Sequence, residues 1–161
     1  MVIVYSRTGA TLAYAKILAE TRGEPLFELR ESKPRGIPAC IFDSLLKRET
    51  RPASLPEWEA LPETEEITFC SPIWAGQTAP AVRYALRHAG LAGRKVNFLY
   101  TCLRMDEKTA YDKMVRGLIQ AAGGEPGFCM AMAGPVKDQI DEEIARDHMR
   151  RFLENETAEA D

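Results

Sequence analysis

The chain has 161 residues, 45% hydrophobic and 28% charged, the proportions of one globular domain with a single core and little disorder. Its 21 Lys and Arg stand against 24 Asp and Glu, a net charge of −3. That provides neither the broad basic field of a nucleic-acid binder nor the strong acidic field with which a carrier steers a basic partner.

No apolar run approaches the ~20 residues of a membrane span, and Met1-Val2-Ile3-Val4-Tyr5 is too short and uncharged for a secretory signal. A soluble, cytoplasmic protein is therefore expected. Val2 to Tyr5 reads as a buried strand because it is a run of β-branched and aromatic residues. A helix is expected from Thr11 to Glu20, with Leu12, Ala15 and Ala19 on one face and Gly23 just past its end. Leu26 to Leu29 gives a second strand. From Ser32 to Glu66 the regularity fails, broken by Pro34, Pro38, Pro52, Pro56 and Pro62. A short helix over Ala39 to Glu49, with Ile41, Leu45 and Leu46 on one side, fits inside this stretch. The remainder of residues 32–66 reads as a surface excursion of a length that is often functional.

The pattern resumes with a strand over Ile67 to Cys70 and a helix over Pro80 to Ala89. Val82, Ala85, Leu86 and Ala89 fall at i, i+3, i+4 and i+7, Pro80 suits the first turn and Gly90 the end. Val96 to Tyr100 is a fourth strand. The helix from Thr109 to Ala122 is expected to turn Met114, Leu118 and Ala121 inward. Phe128 to Ala133 is a fifth strand, and Ile140 to about Glu154 a closing helix with Ile144, His148 and Phe152 in line. Five short apolar strands alternating with helices imply one α/β domain over 1–161, a parallel sheet covered on both faces. Ligands of such sheets bind beyond the carboxyl ends of the strands, where the strand order reverses.

After the first strand comes Ser6-Arg7-Thr8-Gly9-Ala10-Thr11, and then a helix. Backbone N–H groups and three hydroxyls converge there on the positive end of a helix dipole, a natural anion site, and Gly9 permits close approach and positive φ. No Gly-Lys-Ser/Thr follows and no G-x-G-x-x-G is present, so this is neither a Walker loop nor a dinucleotide fingerprint. From these residues alone, Thr8 or Thr11 could equally be a plain helix cap.

The run IVYSRTGAT resembles the phosphate-binding loop of flavodoxin-like proteins, whose core is Ser/Thr-x-Thr-Gly-x-Thr. SPIWAGQTAPAVRYAL, residues 71–86, is similar to that family's stretch after strand three, in which a Pro, an aromatic and a Gly precede a Pro-rich helix start. The resemblance covers essentially the whole chain. It implies a doubly wound five-stranded parallel sheet in flavodoxin's own order, 2-1-3-4-5, with FMN at the switch between strands one and three. Ser6, Arg7, Thr8, Gly9, Ala10 and Thr11 would then surround the phosphate. Pro72, Ile73, Trp74, Ala75 and Gly76 would lie along the flavin ring, with Trp74 against one face, and Thr101 and Cys102 would touch ring or ribityl chain. Trp58, in the Pro-rich excursion, is expected to anchor packing instead.

The segment Tyr100-Thr101-Cys102-Leu103-Arg104-Met105-Asp106 departs from the family, because it lacks a glycine and a covering aromatic. Arg104 could set a positive charge near the flavin N1–C2=O edge. Equally, it could be solvated while Leu103 and Met105 pack on the next helix.

No catalytic dyad is visible, so any chemistry would come from the cofactor. Cys40, Cys70, Cys102 and Cys129 form no C-x-x-C pair and read as reduced thiols without a catalytic role; with only His88 and His148 beside them, no metal cluster is expected. Two functions compete. One is FMN-dependent electron or hydride transfer with a redox partner protein or NAD(P)H. The other is a binding module that keeps the fold, has a degraded flavin site and uses the Pro-rich excursion for a partner. A homodimer is left open.

Overall fold

The computed structural model describes residues 1–33, 35–58, 61, 66–134 and 142–159, without the side chains of 148 and 155–159. The expected packing role of His148 lies outside the described side chains. The elements are β1 (Val2–Val4), α1 (Ala10–Arg22), β2 (Leu26–Glu28), α2 (Ile37–Leu45), β3 (Ile67–Trp74), β4 (Gln77–Thr78), α3 (Pro80–His88), β5 (Lys95–Cys102), α4 (Lys108–Ala121), β6 (Glu125–Ala133) and α5 (Glu142–Glu159). A 3₁₀ turn over Met105–Glu107 leads into α4.

The strands lie in the order β2-β1-β3-β5-β6, and every pairing along that path is parallel. This is the expected flavodoxin-like order, the unforeseen β4 standing off the path. Side chains alternate across a strand, so β1 feeds two cores. Val2 and Val4 join Cys70, Leu99, Met130 and Met132 under Ala15, Leu18 and Met149 of α1 and α5. Ile3 faces the other way, with Phe69, Phe98 and Tyr100, toward Val82 and Leu86 of α3 and Val115 and Ile119 of α4. No described helix is long and apolar enough to cross a membrane.

Several boundaries and faces differ from the sequence reading. Strand β3 runs on through Ser71, Pro72, Ile73 and Trp74, because Ser71 and Pro72 still pair with Tyr100 and Thr101 of β5. In α4 the buried stripe is Tyr111, Val115 and Ile119, about one residue's rotation from the one expected; Met114 and Leu118 flank it and Ala121 is exposed. In α5 the inward positions are Ala145 and Met149, while Ile144 is 67% exposed. Helix α2 begins two residues early, with Pro38 in its first turn, where the missing N–H costs nothing. Trp58 packs on Phe69, ring centres 6.3 Å apart, as a packing anchor should. All four cysteines are buried free thiols.

The short strand β4 exists because the chain reverses directly after Trp74. Ala75 (φ 48°) and Gly76 (φ 72°) connect a hairpin in which Trp74 pairs with Gln77 and Ile73 with Thr78. Two central residues with positive φ make the tight I′-type turn that matches strand twist. Ser71 Oγ accepts the Ala79 N–H (3.0 Å) and so ties the hairpin's exit to the start of α3. Buried Arg83 of α3 donates to Gln77 Oε1 (2.9 Å) from beneath. The left-handed Ala75 carries roughly 1 kcal/mol of strain. Ala75→Asn, a residue that tolerates this region, should raise stability by about 0.5–1 kcal/mol. A shift of the urea midpoint at constant m-value checks this; an unchanged or lowered midpoint would show that the turn carries no such strain.

Candidate functional site

Because β1 and β3 are neighbours and β5 lies beside β3, three segments converge at the carboxyl edge of the sheet. They are the Tyr5-to-Thr11 loop, the Trp74 hairpin and the Thr101-Cys102-Leu103 run. Together with α2 they surround a half-open cavity of about 300 Å³, within the usual range for small-molecule sites.

Its polar end is the start of α1. Gly9 adopts φ 95° and a Cβ there would meet nothing within 4 Å, so positive φ, not crowding, calls for glycine. Ser6 Oγ accepts the Gly9 N–H (3.1 Å) and shapes the loop. No side-chain cap reaches the first turn of α1, which holds no acidic residue; Ser6 takes only the Gly9 N–H, so the orphan N–H groups that follow at the cavity end keep no carboxylate or hydroxyl partner. The helix-cap alternative for Thr8 and Thr11 is therefore excluded. Thr8 is exposed at the cavity wall. Thr11 is buried and shares a 2.8 Å hydrogen bond with Thr101 Oγ1, joining the helix start to the end of β5. Arg7 also lines the cavity and forms no ion pair among the described residues.

The rest of the wall is apolar. Pro72, Ile73 and Trp74 stand on one side, Ile37 and Ile41 of α2 above, and Cys102, Leu103 and Gly134 opposite. Trp74 is held edge-on against Tyr5 (5.9 Å between ring centres, 86° between planes). The Tyr5 hydroxyl donates to Glu31 (3.1 Å), which also receives Arg35 (2.6 Å). Burial, then the Glu31 charge, push the Tyr5 phenol well above its ordinary pKa, so it remains a neutral donor that fixes the ring under Trp74. Cys102 lies 3.5 Å from Met105 Sδ, and burial raises its thiol. It is a protonated wall residue and not a thiolate nucleophile.

Of the residues singled out from sequence, Arg7, Thr8, Ala10, Thr11, Pro72, Ile73, Trp74, Thr101 and Cys102 line the cavity. Ser6, Gly9, Ala75 and Gly76 do not, and act by shaping the two turns. Arg104 lies outside the cavity lining, 65% exposed, and pairs with Asp106 (3.1 Å) and Glu107 (2.8 Å), the solvated placement that the sequence left open. These two carboxylates follow it at once in the 3₁₀ turn and claim the guanidinium locally. Ile37, Ile41, Leu103 and Gly134 were missed; Leu103, 73% exposed, lines the cavity and is not buried on the next helix. The apolar residues of α2 were visible, but nothing local says that this helix arches back over the sheet edge.

No family model and no curated protein matches the chain by sequence. Solved structures do match its fold. A candidate flavoprotein of Bacteroides uniformis aligns with TM-score 0.67 and 21% identity, over 93% of this chain and 96% of the other. A flavoprotein of Lactobacillus acidophilus in complex with FMN aligns with TM-score 0.63 and 18% identity, over 81% and 90%. An NADH:FMN oxidoreductase aligns with TM-score 0.55 and 18% identity, over 92% and 87%. At these identities the likeness establishes the fold.

Proposed function

We propose that this chain, flavodoxin-like in fold, binds flavin mononucleotide in the cavity at its sheet edge and transfers electrons or hydride through it. The observation that carries the reading is the uncapped start of α1, which opens with Arg7, Thr8 and Ala10 onto a cavity otherwise walled by Trp74 and aliphatic side chains. A phosphate monoester offers anionic oxygens to the N–H groups and the cation. A planar apolar ring suits Trp74 on one side and Leu103 on another. The FMN complex of the Lactobacillus acidophilus flavoprotein supports the same reading.

When bound, the flavin supplies the redox chemistry. The chain's own groups do the rest. Arg7, Thr8 and the N–H groups of α1 would hold the phosphate, and the Thr11–Thr101 hydrogen bond keeps the start of α1 and the end of β5 together at the cavity wall. Trp74 would position the ring, and Ile37, Ile41 and Leu103 would keep water from it. The electron donor is a redox protein or NAD(P)H; the NADH:FMN oxidoreductase of the same fold supports the second of these. Purified protein should retain a yellow chromophore, and denaturation should release FMN close to one per chain, identified by mass. Folded apoprotein that takes up no FMN at tens of micromolar would refute the proposal.

A further inference from the structure

Helix α2 is inside out. Its two buried residues are the small Cys40 and Ser44, and the Ser44 hydroxyl has no hydrogen-bond partner in the described structure. Its large apolar residues face solvent: Ile37, Ile41, Phe42, Leu45 and Leu46 are each 40 to 58% exposed. At 100° per residue these five cover about half of the helix circumference, and Cys40 and Ser44 lie just past its Ile37 edge. Across the cavity from Ile37 and Ile41 stands Leu103 (73% exposed), with the exposed Met105 (40%) two residues on. The seven side chains expose on the order of 600 Å² of apolar area, at the upper end of the patches that monomers carry.

A bound flavin does not account for this surface. Ile37 and Ile41 line the cavity, but Phe42, Leu45 and Leu46 do not, and a small acceptor entering over the ring would leave them equally bare. Arg48 lies over the Phe42 ring at 5.8 Å, yet Phe42 is still 54% exposed.

We propose that a second copy of this chain docks on the α2 face, forming a two-fold dimer whose interface borders the cavity mouth. The area is close to the ~800 Å² per partner of a standard interface. An apolar stripe is complementary to itself, which a two-fold contact requires and a steered redox partner does not. The charges at its ends are opposite. At one end Lys47, without an ion pair among the described residues, leaves a surplus positive charge beside the Arg48–Asp43 pair (3.1 Å); at the other, Asp106 and Glu107 share the single Arg104 and leave a surplus negative charge by Leu103 and Met105. Antiparallel stripes bring the basic end of one copy toward the acidic turn of the other.

The dimer does not depend on flavin binding, and failure of flavin uptake leaves it standing. Sedimentation velocity of the full chain, with and without FMN, should show a dimer at ~10 μM. Phe42→Asp with Leu45→Asp should weaken association at least ~100-fold, with circular dichroism and FMN titration unchanged, since neither side chain touches the cavity. Independently, amide exchange over residues 37–46 should speed up as the wild type is diluted. A wild-type monomer at every concentration, a dimer indifferent to the double substitution, or a monomer that floats with anionic vesicles would each overturn the proposal.

Discussion

FMN should bind at least ~100-fold more tightly than riboflavin, and Arg7→Ala with Thr8→Ala should remove most of that difference. The two ligands differ only in the phosphate, so their ratio isolates the polar end of the cavity. Hydrogen bonds to a charged group contribute roughly 1.5–3 kcal/mol each, and the uncapped N–H groups of α1, the Thr8 hydroxyl and Arg7 are available to make several. About 2.7 kcal/mol corresponds to 100-fold. The double substitution removes two donors, so FMN affinity should fall roughly 30- to 100-fold even after non-additivity. Riboflavin affinity should hardly move. Arg7 and Thr8 are both exposed, which keeps the effect on binding separate from folding. Thr11 is the wrong place for this test, since its loss would strand the buried Thr101 hydroxyl. Because Arg7 is solvent-exposed, its share should shrink with added salt while that of the helix N–H groups persists. Fluorescence titrations of both flavins against both proteins settle the matter. Equal affinity of the wild type for FMN and riboflavin would rule out a phosphate site at the start of α1.

The second large effect is expected at Trp74. Trp74→Ala should lower FMN affinity by about 1 kcal/mol or more, since a ring-on-ring contact contributes ~0.5–1.5 kcal/mol beyond the apolar area it buries. Trp74→Phe should recover most of the loss, because it keeps a flat ring against Tyr5. In the wild type, FMN should quench tryptophan emission, and the quenching should vanish with Trp74 and persist in Trp58→Ala. The chain has only these two tryptophans, so the assignment is unambiguous. Trp58, half-buried, packs on Phe69 against the core that α3 and α4 cover. Its truncation should therefore cost stability, about 3 kcal/mol, and leave the flavin constant alone. A loss of affinity on truncating Trp58 instead of Trp74 would place the ring elsewhere.

Much of this protein is local in origin and was legible residue by residue. Val2, Ile3 and Val4 cannot be other than a strand buried on both faces, and the same holds for the centres of β3, β5 and β6. Alternation of such strands with helices leaves little besides a doubly wound sheet. The loop from Ser6 to Thr11 was equally legible, because a glycine with positive φ, neighbouring hydroxyls and a helix start are consecutive in the chain. Whether Thr8 or Thr11 caps the helix was not. That depended on where the Thr8 and Thr11 side chains point, and the Thr11 hydroxyl goes to Thr101, ninety residues away.

What the tertiary structure decided has this character throughout. The inward face of α4 shifted by one position because Tyr111, Val115 and Ile119 fit the sheet better than the equally apolar Met114 and Leu118 beside them. Arg104 could be read as facing a flavin or the solvent, and in the fold its two following carboxylates hold it at the surface. The hairpin after Trp74 needed an alanine in a left-handed conformation, which no propensity would predict. Helix α2 is the clearest case. Its apolar side chains are plain in the sequence, and periodicity alone would turn them inward. Only the folded chain shows that Cys40 and Ser44 face the core, that Ile37 and Ile41 overhang the cavity, and that Phe42, Leu45 and Leu46 are left outside. Periodicity reports which residues share a face; what that face meets is set by the packing of every other element.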